Sequence, residues 1–97
     1  MDNDDKVLAA VHANINALLA EFWAAPAEDR PGLRLKLNDL YDAEAKAKIA
    51  LLDEEVQCTA AHVDEVLKIG QEISRIADAT ALAMGIVRLT AFLITLA

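Results

Sequence analysis

Both prolines of the chain fall close together, at Pro26 and Pro31. Everything on either side lacks the strongest helix breaker, and in both stretches apolar residues recur at helical spacing. A chain punctuated this way is expected to fold as helices joined at one clear turn. Composition agrees. Of the 97 residues, 56% are hydrophobic but only 4% aromatic, with twenty alanines and fourteen leucines. Val, Thr and aromatic residues are too sparse, and turn residues too few, for a β-sandwich. The hydrophobic content is too high for a disordered tail. The fold class read from the sequence is all-α.

The first element is the clearest. Leu8, Val11, Ile15, Leu18 and Phe22 are spaced 3, 4, 3 and 4, a heptad seam widened by Val7, Leu19 and Trp23. Asp2 or Asn3 supplies a cap, and Asp4 and Asp5 place negative charge at the positive end of the helix dipole. The spacing predicts a helix over 4–25, ended by Pro26. A loop follows over 26–32, with Asp29 as a cap and Pro31 near the first helical position of the next element. A short loop between two helices implies an antiparallel helical hairpin.

From Leu33 to Ala97 no strong breaker interrupts the pattern. Opposite charges at Asp42/Lys46, Glu44/Lys48, Asp64/Lys68 and Glu72/Arg75 are spaced as pairs on exposed helix faces. One helix over this span would be about 90 Å long, against about 30 Å for the first helix. The second arm is therefore either broken once, near Thr59 or Gly70, or left with a bare stripe that another chain covers. The expectation is a single domain over 1–97: a hairpin with a long or once-broken second arm, completed as an oligomeric helical bundle. Gly70, Ser74, Ala77, Ala81 and Gly85 form a ladder of small residues at spacings of four and three, read as a seam for close helix approach.

Residues 79–97 carry one charge, Arg88, and their apolar side chains point all round the helix. Such a helix is buried in protein or in lipid. Nineteen residues are just enough to span a bilayer. Against that, Arg88 lies mid-segment, where insertion of a charge costs about 2.5–3.5 kcal/mol, and no basic cluster flanks the segment. In a protein bundle Arg88 needs an acid; Asp78 and the acidic centre of the long segment are the candidates. If that pair is buried, Arg88→Ala costs about 3–5 kcal/mol.

The chain holds little catalytic chemistry. There is no glycine-rich phosphate loop, and the single serine, Ser74, lies in a helical pattern. One cysteine excludes an internal disulfide. Glu55, Cys58, His62 and Glu65 fall on one helical face at spacings of 3, 4 and 3, but the acid-first Glu-x-x-His order of di-metal bundles is absent, and this set reads as a polar flank. No enzyme activity, cofactor or metal is expected. The net charge of −7 opposes nucleic-acid binding. The acidic start, Met1-Asp2-Asn3-Asp4-Asp5, is unlike a secretory leader, so the expected location is cytoplasmic.

In outline the chain resembles three groups of small helical proteins: secreted helical hairpins, needle subunits of type III secretion, and acidic immunity proteins. The secreted hairpins carry a Trp-x-Gly turn where this chain has Trp23-Ala24-Ala25, and the needle subunits' proline-bracketed turn is loosely matched by Pro26 to Pro31. No motif carries a site across. The expected function is a non-enzymatic protein–protein interaction module, of immunity, antitoxin, chaperone or assembly-subunit type. It would bind itself, another protein or both, through apolar seams and an acidic surface. The expected interaction residues are Leu8, Val11, Ile15, Leu18, Phe22, Trp23, Tyr41, Gly70, Ala81, Gly85 and Arg88. The alternative is a membrane-associated protein that uses residues 79–97 as an anchor or pore-forming element.

Overall fold

The computed structural model describes residues 2–54 and 56–96, so Met1, Glu55 and Ala97 lie outside the described residues. Within them the chain forms four α-helices and one short 3-10 turn, with no strand: α1 Asn3–Ala24, the 3-10 turn Ala27–Asp29, α2 Arg30–Leu52, α3 Ala60–Ile73 and α4 Ala79–Thr95.

Each start has a local chemical cause. The Asp2 carboxylate accepts the Asp5 amide at 2.8 Å and caps α1. Pro31 sits in the first turn of α2, where no amide hydrogen is needed. Thr59 caps α3 in a reciprocal pair: its hydroxyl accepts the His62 amide at 3.3 Å, and His62 Nδ1 accepts the Thr59 amide at 3.0 Å. Asp78 caps α4 by accepting the Ala81 amide at 2.7 Å.

The long second arm expected from sequence is corrected here. It holds three helices separated by two breaks, at 53–59 and 74–78, and the longest dimension of the molecule is 41 Å. Neither break uses proline or glycine. At the first, Glu54 takes the left-handed conformation, φ 58°, where glycine is the usual occupant, and Thr59 then restarts the helix. The second ends at the Asp78 cap. Gly70, a candidate break point, lies inside α3.

The helices alternate in direction. The Cys58 amide donates to Asp4 at 2.7 Å and Asn14 Nδ2 donates to the Val66 carbonyl at 3.1 Å, so α1 and α3 run the same way. Arg88 reaches back to Glu65, and His62 meets Phe92 edge-on, so α4 runs opposite to α3. Gly32 and Leu33 lie beside Ala79 and Thr80, and Lys36 one turn on lies beside Ala83–Ala91, so α2 and α4 run the same way. The principal packing is α1 along α3 and α2 along α4, with α4 also touching α1 and α3. The short α1–α2 turn reverses the chain, but those two helices are not each other's main partners. Small residues explain one pairing: α2 buries Ala43, Ala47 and Ala50, which lets another helix come close.

One continuous core results. Val7, Val11, Ile15, Leu18 and Phe22 of α1 meet Leu37 and Leu40 of α2, Val66, Ile69 and Ile73 of α3, and Leu82, Ile86, Leu89, Phe92 and Leu93 of α4. Its one buried polar side chain among the described residues is Asn14.

Candidate functional site

Helix α4 is apolar on two faces, and the bundle uses only one of them. Leu82, Ile86, Leu89, Phe92 and Leu93 point inward and are buried. Thr80, Met84, Val87, Ala91 and Ile94 lie outward, spaced 4, 3, 4 and 3, and all are exposed. Met84 is 67% exposed and Ile94 62%. This outer row is a heptad seam with no helix on it.

Shallow, open depressions flank Met84 on both sides of the seam. Toward α2, a groove of about 400 Å³ is lined by Lys36, Ala83, Met84, Val87, Arg88 and Ala91. Toward α3, a second groove is lined by Glu72, Arg75, Ile76, Ala81, Gly85 and the other flank of Met84. Arg88 forms part of both walls. Its guanidinium holds Glu65 at 3.0 Å and Glu72 at 3.6 Å, both from α3. The Arg88 side chain keeps 36% of its surface in solvent and the two acids somewhat more, so this is a surface network. The sequence-based expectation of a buried pair costing about 3–5 kcal/mol on truncation is thereby corrected to less than about 1 kcal/mol. Asp78, one of the expected partners, is occupied as the α4 cap.

The structure distributes the other expected interaction residues differently. Val11, Ile15, Leu18 and Phe22 are buried in the core of this one chain, and Leu8 packs at its edge. The small-residue ladder is not one seam, because the break at 74–78 divides it. Its two glycines serve different neighbours: a Cβ at Gly70 would lie 2.8 Å from Asn14 Oδ1 of α1, whereas one at Gly85 would lie 3.2 Å from Ile76 Cδ1 and only in ordinary contact with Leu18. Ala81 lines the α3-side groove. Tyr41 is 40% exposed on α2. Trp23 is 61% exposed at the end of α1, where its carbonyl accepts Arg30 Nη2 at 2.9 Å and its ring lies 5.8 Å from the same guanidinium. Leu35, Ile49, Leu52 and Leu67 are exposed too, but on the other helices.

Met84, Val87, Ile94, Lys36 and Arg75 are therefore contributors that the sequence reading missed. The signal was present in the 80–84–87–91–94 spacing. It was hidden because the core row of α4 is equally apolar, so neither row stands out until one of them is assigned to the interior.

Reactive groups are placed conservatively. Cys58 precedes α3, so Cys58, His62 and Glu65 do not share one helix face as their spacing suggested, and Glu55 lies outside the described residues. Burial, then the hydrogen bond and charge of Asp4, push the Cys58 thiol up to about 11. A thiol held protonated is a poor nucleophile at neutral pH. Ser74 ends α3, and its hydroxyl donates to the Gln71 carbonyl at 2.6 Å. Among the described residues no three His, Cys, Asp or Glu side chains are grouped to hold a metal ion. Helix α1 is long and apolar enough to cross a membrane, a test that core helices of soluble proteins also pass; α4, at 17 residues, is shorter.

No protein-family model, curated protein or solved structure matches the chain.

Proposed function

We propose that the protein is a non-enzymatic protein-binding module whose contact surface is the outer face of α4. The observation that carries this reading is the exposed heptad row from Thr80 to Ile94 on a helix whose opposite face already fills the core. A row of that spacing offers the anchor positions that another helix uses. The exposed apolar residues of this row are contiguous, whereas isolated exposed apolar residues are ordinary. Arg88 contributes by holding α4 to α3, which keeps the two grooves beside Met84 in shape.

A membrane role through residues 79–97 is supported less. Insertion of α4 would strip Leu82, Ile86, Leu89, Phe92 and Leu93 from the other three helices and carry Arg88 into hydrocarbon.

The test is site-specific photo-cross-linking in the cells that produce the chain. A photoreactive phenylalanine replaces Val87 in one variant and the exposed Lys46 on α2 in another. The expected result is a discrete protein adduct from position 87 and none from position 46. Lipid adducts alone at position 87, or equal labelling at both positions, would overturn the reading.

A further inference from the structure

We infer that His62 is a proton-operated latch on the start of α3: protonation of its imidazole releases the cap that ties the 53–59 connector to the helix. Geometry is the first argument. The Thr59 amide donates to His62 Nδ1 at 3.0 Å, and the His62 amide donates to the Thr59 hydroxyl at 3.3 Å. A reciprocal cap of this kind ordinarily takes its return bond from Glu or Gln. Those side chains keep an acceptor throughout the range from pH 5 to pH 8, whereas histidine changes charge within it. To accept the Thr59 amide, Nδ1 must be the bare nitrogen of a neutral ring, with the ring hydrogen on Nε2.

Protonation turns that acceptor into a donor facing a donor. The nearest acceptor for the new hydrogen is the Thr59 hydroxyl oxygen, 3.4 Å from Nδ1, and a ring turned toward it still leaves the Thr59 amide without a partner. The imidazolium would also stand in the first turn of α3, at the positive end of the helix dipole. Both effects favour release. The connector has little else to hold it. From Val56 to Thr59, among the described residues, the amides with a partner are that of Cys58, on Asp4, and that of Thr59, on His62. The His62 ring also meets Phe92 edge-on, so the latch joins the start of α3 to the last turns of α4.

The charged groups around the ring have other partners or face solvent. Helix α3 packs on α1 and α4. On α4 the one charged residue is Arg88, which is held by Glu65 and Glu72. On α1, Asp2 caps its own helix, Asp4 accepts the Cys58 amide, and Asp5 and Lys6 are exposed. On α3 itself Asp64 is exposed and Glu65 is engaged by Arg88. In the connector Asp53 and Glu54 are exposed, and Glu55 lies outside the described residues. Among the described residues no ion pair reaches His62. Carboxyl groups ordinarily titrate below pH 5, so the imidazole is the member of this cap that responds above it. The other histidine, His12, is exposed on α1 and belongs to no cap.

Amide solvent exchange of the full-length chain, measured by NMR at about pH 7.5 and about pH 5.5, tests this. Protection is taken relative to the unstructured-peptide rate at each pH. Protection of the Thr59 and His62 amides is expected to fall about fivefold at the lower pH, the worth of a typical cap. That of Ile69 and Ile73, buried further along α3, is expected to stay unchanged. His62→Gln keeps a neutral acceptor at the same position, so its protection is expected to be the same at both pH values. His12→Gln is expected to behave as the wild type. The nitrogen-15 shift of the imidazole reads the same state without any substitution: at the higher pH Nδ1 is expected to be bare. A hydrogen on Nδ1 at the higher pH would overturn the inference. So would unchanged wild-type protection at the lower pH, a loss shared equally by Ile69 and Ile73, or an equal loss in His62→Gln.

Discussion

Gly70 lies in the interior of α3, where glycine is the second-worst helix former, so replacing it with alanine ought to stabilise the helix by about 1 kcal/mol. The structure predicts the opposite sign. A Cβ at this position would come within 2.8 Å of Asn14 Oδ1. Asn14 is 7% exposed and its amide nitrogen donates to the Val66 carbonyl, so it cannot swing aside without giving up that bond inside the core. Leaving a buried polar group unpaired costs about 1–3 kcal/mol. Taking about 2 kcal/mol for that loss against the helix gain, Gly70→Ala is net destabilising by about 1 kcal/mol, a fall in Tm of about 4–8 °C. Once Asn14 is truncated to alanine the obstruction is gone, and the same Gly70→Ala change becomes stabilising by about 1 kcal/mol. Four thermal melts of the wild type, both single variants and the double variant complete the cycle. The expected coupling of about 2 kcal/mol is well above the scatter of independent sites. A Gly70→Ala change that raises Tm equally in both backgrounds would refute the packing of α1 on α3 described above.

Other consequences follow from the same contacts. Ile15 is 4% exposed in the α1 row, so Ile15→Asp is expected to abolish the cooperative melt seen by circular dichroism; an unchanged melt would remove α1 from the core. Arg88→Ala is expected to cost less than about 1 kcal/mol in urea denaturation, and to cost less still at high salt, because the Glu65 and Glu72 pairs are exposed. Burial and Asp4 raise the folded Cys58 thiol from 9.0 to about 11, so folding favours the protonated form. That contribution is fully present below pH 9 and is lost as pH rises toward 11. Stability over this window is expected to fall more steeply in the wild type than in Cys58→Ala, as read by denaturation at each pH.

The legible parts of the fold were those written in local chemistry. The α1 row and the loop opened by Pro26 announced two helix ends directly, and the structure places α1 at Asn3–Ala24, within a residue of the expected span at each end. The breaks at 53–59 and 74–78 were harder because neither contains proline or glycine. Glu54 adopts a conformation that its residue type does not advertise, and the real markers were the caps. Thr59 was recognisable as one. Asp78 was read as a counter-ion for Arg88, although its position ahead of an apolar run is that of a cap. Gly70 misled in the other direction: its purpose is to admit Asn14 from α1, an approach between residues far apart in sequence that no local pattern encodes. The candidate surface was obscured for a related reason. Until the bundle claims one face of α4, its inner and outer rows are indistinguishable.

The central claim is that the chain closes its own core around the inner face of α4 and leaves the outer face free for a partner. Amide hydrogen exchange of the isolated full-length chain, in buffer without detergent, tests it most directly. The account predicts that the amides of Leu82, Ile86, Leu89 and Leu93 are as strongly protected as those of Val11 and Leu18, because both sets open only with the whole bundle. Rapid exchange throughout α4, with protection kept in α1, would show that this helix has no home within the chain and would contradict the account.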